Sequence, residues 1–140
     1  MALRFISQCF SAEGSEHIID MALDKDVLTS LQIFLCSQDA QVIKETLWGI
    51  SNITAGEKRH VDAFFAADIL VERVISFLSS RLSGVKEEAL WVINNAITSV
   101  SQEKLLQVFQ KYTNKLVEPL FEALSAIQNI DLVMSTLQSI

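Results

Sequence analysis

The sequence predicts an all-α chain, a right-handed superhelical solenoid of about three three-helix units, and three observations carry that prediction. A segment returns at a spacing of 43 residues, apolar positions recur with a helical period, and turn punctuation is sparse. The 140 residues include four Gly and one Pro, which argues against an all-β sandwich, and half of them are apolar, enough for one continuous core.

The repeat is read directly. Glu45-Thr46-Leu47-Trp48-Gly49-Ile50-Ser51-Asn52 returns as Glu88-Ala89-Leu90-Trp91-Val92-Ile93-Asn94-Asn95, and Phe34, Leu35, Val42 and His17 find Phe77, Leu78, Val85 and His60 at the same offset. A weaker copy opens the chain at Leu3-Arg4-Phe5-Ile6-Ser7-Gln8, and another closes it at Asp131 to Gln138, with Met134 and Gln138 in the Trp and Asn positions. A helical period of about 40 to 47 residues is the size of an armadillo or HEAT unit. The expected organisation is one domain over 1–140, with 1–12 ending a preceding repeat and 15–56, 57–100 and 101–140 as successive repeats, the last incomplete. Both ends fall inside the pattern without a polar capping repeat, as in a segment of a longer solenoid.

Within the first unit, a helix over Glu16 to Leu23 precedes Val27 to Cys36, a turn, and Gln41 to Ala55. The second runs Lys58 to Ala67, Leu70 to Leu82 and Val85 to Val100; the third runs Gln102 to Tyr112, Leu116 to Ile127 and Asp131 onward. Asp39 and Ser83 are expected to start the long third helices and Gly56 to stop the first of them.

With Trp48 at zero on a helix of about 100° per residue, Ile53, Ile50, Ile43 and Leu47 fall between roughly 140° and 260°, opposite the indole. Asn52 and Glu45 fall near 40° and 60°, so carboxylate, indole and amide share a face that the core does not use. Around Trp91 the same projection places Ile93, Leu90 and Ile97 opposite, with Asn95 and Glu88 beside it. Stacked helices lie about 8 to 10 Å apart and an extended peptide rises about 3.3 to 3.6 Å per residue, so successive rungs match a span of about three residues. An Asn amide offers donor and acceptor to a peptide bond whatever its sequence. Neighbouring indoles form a slot for a Lys or Arg stem and attract its cation, while Glu45, Glu87 and Glu88 select the charge. The net charge of −6 suits a basic ligand and argues against a sequence-blind nucleic-acid binder. The alternative is a generic armadillo or HEAT interaction scaffold, with the tryptophans packed between repeats and the asparagines forming an inter-helix hydrogen-bond ladder.

Trp-x-x-x-Asn on third helices 43 residues apart resembles the importin-α family of nuclear import adaptors. The resemblance covers essentially the whole chain: Ala2-Leu3-Arg4-x-Ile6, Glu45-x-x-Trp48-x-x-Ser51-Asn52-Ile53-Thr54-Ala55-Gly56, Glu88-Ala89-Leu90-Trp91-x-x-x-Asn95 and Glu118-Pro119-Leu120 follow the order of that family's C-terminal repeats. It implies the minor binding site for lysine- and arginine-rich nuclear localisation signals, with Trp48 and Trp91 as pocket walls, Asn52 and Asn95 as backbone clamps, Glu88 as selector, and Ser51 and Glu45 as secondary contacts. Arg4 stands where the family replaces a groove tryptophan with arginine. Gln8 departs from the family's asparagine by one methylene. The resemblance further implies a protein shuttling between cytoplasm and nucleus, whose full-length parent engages importin-β and an export receptor through regions absent from this sequence.

Other chemistries find little support. Cys9 and Cys36 lack metal-ligand spacing and suit a reducing compartment, where the formal sequon Asn52-Ile53-Thr54 would not be glycosylated. The apolar stretch over Ala63 to Val71 is interrupted by Asp68, short of the roughly 20 residues that a membrane span needs, and the run in Met1 to Ala12 is broken too early for a signal peptide. His17 and His60 are expected as solvated helix-end residues, while Met21, Met134 and the pair Phe64 and Phe65 are expected in the core. With no nucleophile, base and orienting group together and no Gly-rich phosphate loop, the sequence predicts no enzymatic activity, no cofactor and no metal.

Overall fold

The computed structural model describes residues 2–12 and 14–139, with the side chains of all of these but 2, 83, 130 and 139. Helix α4 (Ala40–Thr54) shows how the repeat is punctuated. Extended Asp39 accepts the Gln41 backbone N–H on its carboxylate at 2.8 Å, satisfying one of the free donors of the first turn. At the other end the Gly56 N–H reaches back to the Ile53 carbonyl at 3.1 Å. Before α4 lie α1 (Ala2–Ser11), α2 (Glu16–Asp24) and α3 (Val27–Phe34); after it come α5 (Lys58–Ala66), α6 (Asp68–Phe77), α7 (Ser83–Thr98), α8 (Gln102–Ala126) and α9 (Ile130–Ser139). Helix α7 starts at Ser83, with Leu82 at the cap position.

Equivalent helices stack in layers. Helices α1, α4, α7 and α9 pack side by side in that order, α3, α6 and α8 form a second layer, and α2 lies against α5. Leu47, Ile50 and Ile53 of α4 and Leu90, Ile93 and Ile97 of α7 are buried, along the stripe opposite the tryptophans. Because α4 is sandwiched between α1 and α7, its flanks are buried as well, and they carry small residues: Thr46, Gly49, Ser51 and Thr54. A Cβ at Gly49 would stand 2.6 Å from Ser7 Oγ of α1, so a larger residue there would have to push that hydroxyl from its bond to the Glu45 carbonyl. Helix α7 buries Ala89, Val92, Asn94 and Ala96 in the same way.

Three expectations change. The third unit has no break between Tyr112 and Leu116: α8 is continuous for 25 residues. Its buried positions Val108, Tyr112, Leu116, Leu120 and Leu124 form one unbroken stripe, and Lys111 and Lys115 pair with Asp68 and Glu72 of α6 across the supposed turn. Pro119 sits inside this helix. His60 is fully buried rather than solvated. Its Nδ1 accepts the Glu57 backbone N–H at 3.1 Å in a capping box that starts α5, so the ring proton belongs on Nε2, 2.9 Å from Asp20 Oδ1 of α2. Arg59 grips the same carboxylate with two hydrogen bonds, tying the first helices of two units together. His60's hydrogen bond and Arg59's charge hold Asp20 below its ordinary carboxylate value, against some desolvation. Phe64 and Phe65 are core residues, but Met21 and Met134 are 57% and 50% exposed, and His17 is exposed.

Candidate functional site

The solvent face of α4 is narrow because three sides of the helix are packed, and it carries Gln41, Lys44, Glu45, Trp48 and Asn52. On α7 the corresponding positions are Gly84, Glu87, Glu88, Trp91 and Asn95. Both tryptophans are half-buried; Trp91 rests one side on the core. A pocket of about 290 Å³ crosses three stacked helices here, lined by Arg4 of α1, by Gln41, Lys44, Glu45 and Trp48 of α4, and by Glu88 of α7. The structure thus brings Arg4, Glu45, Trp48 and Glu88 together, with Trp91 one turn beyond Glu88 on the same face.

The asparagines are held by the neighbouring helix. Asn52 Nδ2 donates to the Ser7 carbonyl of α1 at 3.1 Å, and Asn95 Nδ2 donates to the Ser51 carbonyl of α4 at 3.0 Å. Each bond uses one amide hydrogen and leaves Oδ1 and the second hydrogen over, and neither Oδ1 has a partner among the described residues. The ladder that ties the third helices also fixes the orientation of two amides on the open face. Gln8, at the clamp position of α1, is exposed. Ser51 is withdrawn from this face: it is 5% exposed and its hydroxyl donates to the Trp48 carbonyl at 2.8 Å.

The charges are unevenly placed. Partial burial pushes the Glu88 carboxyl above its ordinary value; Lys44 pulls it back, while Glu87 and Glu45 push it further up. Glu45 accepts a hydrogen bond from Gln41 Nε2 at 2.8 Å, and Glu87 accepts one from Asn129 Nδ2 at 3.1 Å, before α9. A cation brought to Glu88 relieves an existing repulsion among three carboxylates. Lys44 and Gln41 escaped the sequence argument, although the projection that placed Glu45 and Asn52 puts both within about 40° of Trp48.

Comparison with known proteins bears on the fold. The chain matches no protein-family model and no curated protein. Among solved structures it is similar to a designed armadillo repeat protein in complex with the peptide (KR)4, at 24% identity and a TM-score of 0.63 over 99% of this chain and 62% of that one. It is similar also to computationally designed armadillo repeat proteins for modular peptide recognition, at 21% and 0.66 over 99% and 62% of the two chains. A further engineered protein matches at 22% and 0.66, over 99% and 54%. The chain therefore has an all-α armadillo-repeat fold, and it spans 54 to 62% of the length of these structures.

Proposed function

We propose that the face shared by α4 and α7 binds extended lysine- and arginine-rich peptide segments, in the manner of the minor nuclear-localisation-signal site of importin-α. One observation carries the reading: two half-buried tryptophans at equivalent positions of stacked helices stand beside a carboxylate whose charge no ion pair offsets among the described residues. Trp48 and Trp91 take the stem of a basic side chain, Glu88 and Glu45 select its charge, and the free edges of Asn52 and Asn95 take the peptide backbone. Arg4 closes the groove on the α1 side. The designed neighbour in complex with (KR)4 supports the reading as a fold that accepts such a ligand. On this reading the protein is a non-catalytic adaptor segment shuttling between cytoplasm and nucleus, and its importin-β and export-receptor contacts lie elsewhere in its parent.

A structural reading, in which this face only joins repeats, is favoured by the Asn52 and Asn95 ladder and by the seat of Trp91 on the core. Titration with a basic peptide, followed by tryptophan fluorescence, separates the two. Loss of affinity in Trp48→Ala and in Trp91→Ala, with the fold retained by circular dichroism, is the expected result; unchanged affinity in both leaves only the scaffold.

A further inference from the structure

We infer that Lys44 is a resident cation that tempers the groove, reaching from α4 over the rung between α4 and α7, where a ligand's basic side chain must compete with it for Glu88. The inference rests on the basic-peptide reading above. Its starting point is the break in the repeat: Lys44 stands where the next unit has Glu87, and Gln41 where the next unit has Gly84. The lysine lies across the seam between units. From the place a Cβ would take on Gly84, Lys44 Nζ, Cδ and Cε are 3.5, 3.7 and 3.8 Å away, so its stem runs along the first turn of α7 over the space the glycine leaves.

Nothing there holds the ammonium tightly. A helix N-terminus carries partial positive charge, and the first turn of α7 is the wrong end of a helix for a cation. No carboxylate among the described residues is within ion-pair distance of Lys44. It instead lines the same pocket as Glu45, Trp48 and Glu88, and its charge acts on the Glu88 carboxyl from a distance. Together with Arg4 of α1, Lys44 gives this pocket two cations against Glu45 and Glu88. The equivalent positions one unit on are Trp48 for Arg4, Glu87 for Lys44, Glu88 for Glu45 and Asp131 for Glu88, so the rung between α4 and α7 has two aromatic walls and three carboxylates, and Lys44, reaching over from α4, is the cation set against them. A lysine or arginine of the ligand that enters between the tryptophans to reach Glu88 must compete with Lys44 for that carboxylate.

The test uses the full chain, an octapeptide of alternating Lys and Arg, and the variants Lys44→Gln and Lys44→Glu. Affinity is expected to rise roughly two- to fivefold in Lys44→Gln and further in Lys44→Glu, with a steeper loss on adding salt. Glu88→Gln should remove most of the gain from Lys44→Gln. In the ligand-free protein, NMR titration of the Glu88 carboxyl should move upward in pH on Lys44→Gln. Wild-type binding with no tightening in either lysine variant overturns this inference and leaves the peptide reading standing, as does a Glu88 titration blind to Lys44→Gln. Absence of peptide binding by every variant overturns both.

Discussion

Glu88→Gln should make the ligand-free protein more stable while weakening its hold on a basic peptide. The carboxyl is held above its ordinary value of 4.5 by partial burial and by Glu87 and Glu45, with Lys44 only partly compensating. A folded-state value above the unfolded one means that the native state binds more protons between the two, so stability falls as pH rises through that window. The cost of the charged carboxylate is fully present above the raised folded value and absent below the unfolded one. Glu88 remains partly exposed, so solvent screening keeps the gain small, about 0 to 1 kcal/mol at pH 7. Urea unfolding of wild type and variant at several pH values measures it. Their difference should shrink as pH drops toward 4.5, and the peptide affinity of the variant should fall roughly two- to fivefold at pH 7. A wild type more stable than Glu88→Gln at pH 7, or a difference that does not change with pH, would refute the argument.

Three further outcomes are expected. Gly56→Ala puts a Cβ 2.4 Å from His60 Nδ1 and should displace that buried ring from its capping box, lowering stability by about 1 to 3 kcal/mol in thermal or urea unfolding; an unchanged midpoint contradicts the assignment. Asp20→Asn should destabilise the protein at neutral pH, and because the folded-state value of Asp20 is lowered, the difference from wild type should close as pH falls through that lowered value. Amide hydrogen exchange through 113–118 should be as slow as on either side, since α8 is one helix; fast exchange confined to that stretch would restore the broken helix.

The fold was legible where the physics is local. A repeat of 43 residues and stripes such as Leu47, Ile50 and Ile53 depend only on helical period, and the Asp39 cap is a property of a few neighbouring residues. What was lost depends on neighbours far along the chain. A one-stripe projection treats a helix as having a single buried side, so it could not see that α4 is flanked on both sides and buries Thr46, Ser51 and Thr54. His60 reads as polar and solvated until Asp20, 40 residues earlier, arrives to accept a hydrogen bond from its Nε2–H. Thr113-Asn114-Lys115 contains no Gly or Pro, and the pairing of Lys111 and Lys115 with α6 is visible only when the 43-residue offset is applied to those lysines and the carboxylates of α6.

The asparagines show why the two readings of this face are entangled and how they come apart. Because Asn52 and Asn95 each tie a helix to the one before it, replacing either removes an inter-helix hydrogen bond of about 0.5 to 1.5 kcal/mol before any ligand is considered. A weaker peptide complex in Asn52→Ala would therefore follow from a loosened α1–α4 contact as readily as from a lost clamp. Trp48 is not bound by that ambiguity in the same degree, since it lines the open pocket and the core stripe of α4 lies opposite it, whereas Trp91 rests one side on the core. The charges are freer still: Lys44 is exposed and unpaired among the described residues, so changing its sign alters the field at Glu88 with little packing to disturb. Charge variants on the open side of α4, rather than amide variants in the ladder, are the perturbations that report on ligand recognition.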